Sequence, residues 1–313
     1  MRYVEMDGLR TSLIGLGTWQ FGSREWGYGE AYAAETAPAL VRRALELGIT
    51  MLDTAEAYGP GRSERIIAGA LAAIPPAGRA GVTVATKFLP IVPAEPVVAR
   101  QAAGSLRRLG VDALDLYYAH WPNPLVSVRR TMQALRPLVA EGVVRRVGVS
   151  NYGLGQWQEA ERALRVPVIA NQVRFSLVSA GPALDLVPFA AAMDRIVVAY
   201  SPLGQGLLTD GLAESAPRPR GVRRTSPLFR PGARRRLAPL AATIHEIAAA
   251  HRATPAQVAL AWVIRHPNTI AIPGARTIAQ LEENAAAADL ALADEAFFRL
   301  SAAAAAFAER APA

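Results

Sequence analysis

Residues 48–73 read GITMLDTAEAYGPGRSERIIAGALAA. The stretch opens on a short apolar run that closes on an acid, Asp53. A loop follows that holds Tyr58 and the glycines at 59 and 61, and from Arg62 apolar residues recur at helical spacing to Ala73. This is the pattern of one strand followed by one helix. A strand often ends in Asp or Thr and a Tyr-Gly-Pro-Gly stretch often makes a turn, so spacing alone leaves Asp53 and Tyr58 open to a structural or a chemical reading.

Working outward, the same unit recurs along the chain. TSLIGLG is followed by helical periodicity over 37–47, GVTVATK by 96–109, LDLYYAH by 127–141, VVRRVGVS by 155–164, and VPVIANQV by 182–193. RIVVAYS leads into a long basic loop and then 237–251, and TIAIPG leads into 278–288. Eight strands alternating with helices imply parallel pairing, because a crossover helix joins parallel neighbours, and eight such units close a barrel. An α/β fold of the (β/α)8 TIM-barrel type is expected, as one domain over 1–313. An open doubly wound sheet would normally carry G-x-G-x-x-G after its first strand, and GLGTWQFG (15–22) lacks that spacing. YVEMDGLRTSLIG predicts an N-terminal β-hairpin turning at Asp7-Gly8. Two helices are surplus to the repeat: TPAQVALAWVIRH, with Thr254 as N-cap and Pro255 at the first helical position, and the Ala-rich segment 294–309.

Composition narrows the chemistry. The chain of 313 residues is 51% hydrophobic and 19% charged, enough apolar material for a large core and too little charge for disorder. It has no cysteine, which excludes disulfides and Cys-ligated metal sites. With no signal-like N-terminal stretch and no long apolar run, a soluble, cytoplasmic protein away from the membrane is expected. The net charge of +8 is local, since eight arginines and no acid fall between Arg218 and Arg236. One Pro-rich basic segment suits a loop near a phosphate better than a duplex-binding surface, so no nucleic-acid partner is expected. Among the 34 basic residues there is a single lysine, Lys87, at the end of GVTVATK. A compact ammonium can sit where the broad guanidinium of arginine cannot.

In a barrel of this kind the C-terminal ends of the strands meet on one face, and catalytic residues come from several of them. Asp53, Lys87 and His120 stand at the ends of the second, third and fourth strands, with Tyr58 in the loop after the second. An ammonium favours the phenolate of a nearby tyrosine and lowers its pKa, and a carboxylate behind the ammonium holds it in place. Histidine beside the pair would orient a carbonyl oxygen and share charge developing on it. The set suits proton donation to a carbonyl. It lacks a Ser or Cys nucleophile and a pair of opposed carboxylates, and with only four histidines, at 120, 245, 251 and 266, three of them on or beside helices, no His-rich metal site is expected. Protonating a carbonyl oxygen amounts to reduction if hydride reaches the carbon, so a nicotinamide site is expected. IPGARTIAQLEEN (272–284), after the eighth strand, has a Gly-Ala approach for phosphate, a cation at Arg276, and Gln280, Glu283 and Asn284 at helical spacing.

With those residues in view, the chain from GLGTW to LEEN resembles the aldo-keto reductase superfamily. The carrying motifs, in order, are LDTAEAYG, ATK, LDLYYAHWP, GVSN, NQV, YSPLGQGLL and IPGAR. The resemblance implies reversible, NADPH-dependent reduction of small-molecule aldehydes or ketones to alcohols, NADH being the less favoured cofactor. It implies Tyr58 as proton donor, Lys87 and Asp53 as the groups that tune it, and His120 as the residue orienting the carbonyl. On the cofactor it implies Ser150, Asn151 and Gln172 for the carboxamide and Tyr200 stacked on the nicotinamide. Ser201, Pro202, Leu203 and Gly204 would follow the pyrophosphate, and Gly274, Arg276, Gln280, Glu283 and Asn284 the adenosine end. Thr18, Trp19 and Asp53 would add further cofactor contacts, and Arg223 would close over the phosphates. Trp19, Trp26, Tyr28, Tyr58, His120, Trp121 and parts of 205–231 are expected to wall the substrate pocket. A monomer or weak oligomer is expected. The same fold also serves as a non-turnover NADP(H)-binding sensor or regulatory subunit, which would need the nucleotide site but not the proton donor. Two departures from the family pattern stand out: Arg174-Phe175 after NQV, and the arginine-rich 218–236 loop.

Overall fold

A computed structural model of the chain describes residues 1–22, 29–209, 223–224, 226–229 and 231–309. The chain opens with a hairpin of β1 (Tyr3–Met6) and β2 (Leu9–Ser12), antiparallel, with Tyr3 opposite Ser12. Asp7 (φ 49°) and Gly8 (φ 68°) supply the two left-handed residues that a tight two-residue turn requires.

Eight parallel strands follow in sequence order: β3 (Leu16–Gly17), β4 (Met51–Asp53), β5 (Thr83–Phe88), β6 (Leu116–Ala119), β7 (Val147–Ser150), β8 (Val168–Arg174), β9 (Ile196–Tyr200) and β10 (Thr269–Ala271). The sheet curls until its two edges meet. Gly15 N–H donates to Ala271 O (2.8 Å), Ala271 N–H to Leu13 O (2.9 Å) and Gly17 N–H to Pro273 O (3.1 Å).

The helices between strands are α1 (Ala37–Glu46), α2 (Arg62–Ala72), α3 (Glu95–Leu109), α4 (Val128–Ala140), α5 (Leu154–Leu164) and α6 (Leu186–Ala192). After β9 come α7 (Pro231–His251) and α8 (Pro255–Arg265); after β10 come α9 (Ile278–Ala286) and α10 (Asp294–Glu309). Three boundaries differ from the periodicity, one of them at α7, which starts at Pro231 and not at 237. A helical turn and a π-turn (Gly29–Ala31, Tyr32–Thr36) precede α1. The segment expected to be helical from 182 begins its α-helix only at Leu186, where the Asp185 carboxylate accepts from the Leu186 N–H and caps the new start. In α8 the Thr254 hydroxyl accepts from Gln257 N–H (3.2 Å) and the Gln257 side chain accepts from Thr254 N–H (3.0 Å), a reciprocal cap. Among the described residues no helix is long and apolar enough to cross a membrane.

Two apolar layers result from the period-2 pleat. Outward residues such as Leu52, Phe88, Tyr117 and Val149 pack against the helices. Inward residues Met51, Ala85, Leu116, Ile169, Ile196, Val198 and Ile270 fill the interior of the sheet, and Leu9, Val4 and Met6 of the hairpin pack onto them from the N-terminal end. The same alternation turns Asp53, Lys87 and Gln172 inward, one layer above this apolar plug. The site is therefore a polar layer on an apolar floor.

Candidate active site

Lys87 is wholly buried at the inward-facing end of β5. Its Nζ donates to Asp53 Oδ1 (2.7 Å) and to the backbone carbonyl of Thr54 (2.7 Å), and lies 3.4 Å from the Tyr58 hydroxyl. Asp53 is held on its other oxygen by Gln172 Nε2 (2.6 Å). Three strand ends and one loop thus converge on a single ammonium. Beneath it lies the ring of Tyr118, its centre 6.0 Å from Nζ, seated in a notch that exists because residue 148 is glycine: a Cβ there would overlap the ring.

Burial opposes a charge on Lys87, but the Asp53 carboxylate and Tyr58 outweigh it, and the ammonium is held above its ordinary range. Lys87 does lower the phenol of Tyr58, as expected, but does not bring it below its ordinary value. Burial pushes the Tyr58 hydroxyl above its ordinary value, Lys87 offsets only part of that rise, and Asp53 adds to it. The phenol therefore keeps its proton throughout the neutral range, with the ammonium beside it.

His120 follows β6 and faces Tyr58 edge-on, ring centroids 6.0 Å apart. Burial, and then the neighbouring Lys87, bring its imidazole down to about 3, so it is neutral across the whole neutral range. Its Nδ1 is buried without a hydrogen-bond partner. A neutral imidazole protonated on Nε2 donates one directed hydrogen bond. The linkage has a definite sign. Between the unfolded histidine value of about 6.5 and about 3, the unfolded chain binds a proton that the folded site refuses, so stability contributed by neutral His120 is lost as pH falls through that window. Urea midpoints of the wild type should decline from neutral pH into acid more steeply than those of His120→Asn. Equal slopes would show that the site does not exclude the proton.

The loop carrying Tyr58 is fixed by backbone-on-backbone contact. Gly59 has φ 60°, and a Cβ on it would fall on the carbonyl oxygen of Gly22; a Cβ on Gly22 would fall in turn on the carbonyl of Tyr58. These two glycines interlock the loop with the short helical turn Trp19–Gly22. Gly59→Ala should therefore lower kcat far more than it raises KM for the cofactor, and cost about 2 kcal/mol of stability from backbone strain. Unchanged kcat in a folded variant would show that Tyr58 does not depend on this contact. Thr18, expected to contact the cofactor, is instead fully buried: its hydroxyl donates to Asp53 O (2.7 Å) and pairs with Ser63 Oγ (2.7 Å), so it ties the same loop to the first strand of the barrel.

Trp19 stacks on Tyr58 at 6.2 Å and 27°, and Trp121, 37% exposed, lies against His120 at 5.0 Å. Both stand where a pocket wall would be. Trp26 and Tyr28 lie outside the described residues, as does much of the 205–231 segment.

The residues expected to hold a nicotinamide lie along the ends of β7 to β9. Ser150 donates to Gln172 O (2.9 Å), Asn151 Nδ2 donates to Ser150 Oγ (3.1 Å), and the Tyr200 hydroxyl donates to Asn151 Oδ1 (2.9 Å). Ser201, Gly204, Gln205 and Gly206 all have left-handed φ between 51° and 87°, so the loop holding Pro202 and Leu203 winds tightly there. Arg223 approaches Gly206. At the other end, Gly274 is exposed and lies against Gln20, which donates to Gly17 O and Ala275 O. Thr277 caps α9 by accepting from Gln280 N–H, the Gln280 side chain accepts from Arg276 N–H (2.9 Å), and Asn284 Nδ2 reaches Gly274 O (3.5 Å). Glu283 is half-buried on the same helix, and its carbonyl takes Gln257 Nε2. A helix N-terminus with an exposed glycine and an arginine is a competent phosphate seat.

The family model of the aldo/keto reductase family matches residues 13–305. The chain belongs to the aldo/keto reductase family. It is 48% identical to an uncharacterized oxidoreductase of Mycobacterium tuberculosis over 98% of this chain and 94% of that protein. It is 35% identical to the methylglyoxal reductase YeaE of Escherichia coli, over 91% of this chain and 90% of that one. Among solved structures, an aldo-keto reductase from Klebsiella pneumoniae in complex with NADPH superposes with a TM-score of 0.76 at 32% identity, covering 96% of this chain and 94% of that one. This aldo-keto reductase thus has oxidoreductases among its relatives and a structural neighbour that holds NADPH.

Some members of the reductase's site left no mark in the sequence. The Thr54 carbonyl that accepts from Lys87, the Gly22–Gly59 interlock and the Thr18–Ser63 pair are backbone or small-residue contacts. Glu64 is fully buried, accepting from Thr86 Oγ1 (2.7 Å) and Arg108 Nε (2.5 Å). It anchors α2 to the outward side of β5 and so steadies the strand that carries Lys87. Its only signal was an acid in the first turn of an amphipathic helix.

Proposed function

We propose that the protein is a single-domain (β/α)8 aldo-keto reductase that reduces small aldehydes or ketones to alcohols with NADPH, Tyr58 giving the proton. The observation that carries this reading is the buried Lys87–Asp53 pair at 2.7 Å with the Tyr58 hydroxyl 3.4 Å from Nζ. A bound nicotinamide would supply hydride to the carbonyl carbon. Tyr58 then hands its proton to the carbonyl oxygen, and the phenolate left behind lies against the Lys87 ammonium. His120 donates through Nε2 to the same oxygen and fixes its approach, while Trp19 and Trp121 exclude water from the sides.

The residues fit the cofactor. The Ser150–Asn151–Gln172 cluster would meet the carboxamide, Tyr200 the ring face, Ser201 to Gly204 and Arg223 the pyrophosphate, and Gly274 to Asn284 the adenosine half. Arg276 would favour the 2′-phosphate of NADPH over NADH. An intact Asp53, Tyr58, Lys87 and His120 set favours turnover over a purely sensing role, since a sensor needs the nucleotide site alone. The test is consumption of NADPH, and separately of NADH, against a panel of aldehydes and ketones. Steady oxidation with NADPH preferred supports the reading; tight NADPH binding with no turnover on any carbonyl would instead favour a sensor.

A further inference from the structure

Arg174 is the last residue of β8 and pairs with Tyr200 across the sheet. Two residues earlier on the same strand, Gln172 turns inward onto Asp53. Side chains of a strand alternate faces, so Arg174 shares the inward face with Gln172, about 7 Å further along, at the mouth above the catalytic layer. Its guanidinium carbon lies 5.9 Å from the centre of the Tyr200 ring, and the side chain is exposed. Tyr200 in turn bonds Asn151. Among the described residues no carboxylate forms an ion pair with Arg174, whereas Arg43, Arg62, Arg108, Arg145, Arg195, Arg265 and Arg299 each have one.

We propose that Arg174 is a specificity-determining residue that receives the carboxylate of an anionic carbonyl substrate. The inference rests on the reductase reading and narrows its substrate class to aldehydes or ketones that carry a carboxylate away from the reacting carbon. A guanidinium presents a planar fork that matches a carboxylate with two parallel hydrogen bonds, and a rigid strand end aims it. The phosphates of the cofactor have Arg223 and Arg276 near their expected positions. Arg174 sits instead beside the ring of Tyr200, at the nicotinamide end.

The experiment compares 4-carboxybenzaldehyde with its neutral methyl ester in the wild type, Arg174→Ala and Arg174→Glu. The wild type should favour the carboxylate by kcat/KM. Alanine should raise KM for the carboxylate about tenfold and glutamate more, with kcat, the ester and KM for NADPH little changed. Equal effects on acid and ester would overturn the proposal, as would no preference in the wild type. A raised KM for NADPH with both aldehydes would assign the cation to the cofactor phosphates and overturn it too. Calorimetry of the product alcohols, 4-carboxybenzyl alcohol against its methyl ester, on the protein with NADPH reads the same preference without turnover. If neither aldehyde is reduced, the reductase reading fails while this binding comparison still decides the role of Arg174.

Discussion

Tyr58→Phe should lose turnover by about 10³-fold while NADPH binds with unchanged affinity. The substitution removes one oxygen from a half-buried ring whose position is fixed by Trp19, the Gly22–Gly59 contact and the loop backbone, so the pocket keeps its shape. What disappears is the proton. No other described group in the set replaces it: His120 is neutral and held down to about 3, and the Lys87 ammonium, held above its ordinary range beside Asp53, keeps its proton. Because burial raises the phenol, the wild-type donor stays protonated across neutral pH, and kcat/KM should show no histidine-like inflection between about pH 5 and 8. Single-turnover rates, with NADPH fluorescence as the binding readout, check both points. Wild-type rates in the phenylalanine variant would remove Tyr58 from the mechanism.

The second large effect is expected from Asp53→Asn. The change is nearly isosteric, yet it leaves a fully buried ammonium without its counter-charge and turns the Gln172 donor toward an amide. Breaking one side of a buried pair costs about 3–5 kcal/mol, much of it the penalty of the orphaned charge. The sign with pH distinguishes this from simple mispacking. In the wild type the ammonium is held above its ordinary value, so its contribution is complete below the unfolded lysine value and is lost only as pH rises through the folded one. Without Asp53, burial dominates and the folded lysine value drops. The unfolded chain then binds the proton more readily, and the stability deficit shrinks as pH rises. Urea unfolding at about pH 7 and about pH 9.5 should therefore bring variant and wild type closer together at the alkaline point. A deficit that does not change with pH would mean that removing Asp53 leaves the protonation of the lysine in the native site as it was. Activity should fall by about 10²-fold as well, since the phenolate loses its stabilising cation.

Much of this was legible before any coordinates. The alternation in GVTVATK puts Ala85 and Lys87 on one face, and the same count puts Asp53 above Met51, so the polar layer over an apolar floor follows from a period of two. The order of the strands follows from the repeat. What escaped was whatever depends on depth or backbone. The rise in the Tyr58 pKa comes from the burial around its hydroxyl, which no spacing reveals. Thr18 stands beside Trp19 in sequence but points away from the mouth, into the Ser63 hydroxyl. The interlock of Gly22 with Gly59 is a meeting of two main chains, and glycine at either place reads from sequence as an ordinary turn.

The lone ε-amine of the chain also makes the molecule its own reporter. A lysine-specific endoprotease has one peptide bond to cut, after residue 87, and in the native state that side chain has no exposed surface. Cleavage into 1–87 and 88–313 would then count openings of the catalytic layer one by one, and any carbonyl compound or nucleotide that closes the mouth should slow the appearance of those two fragments.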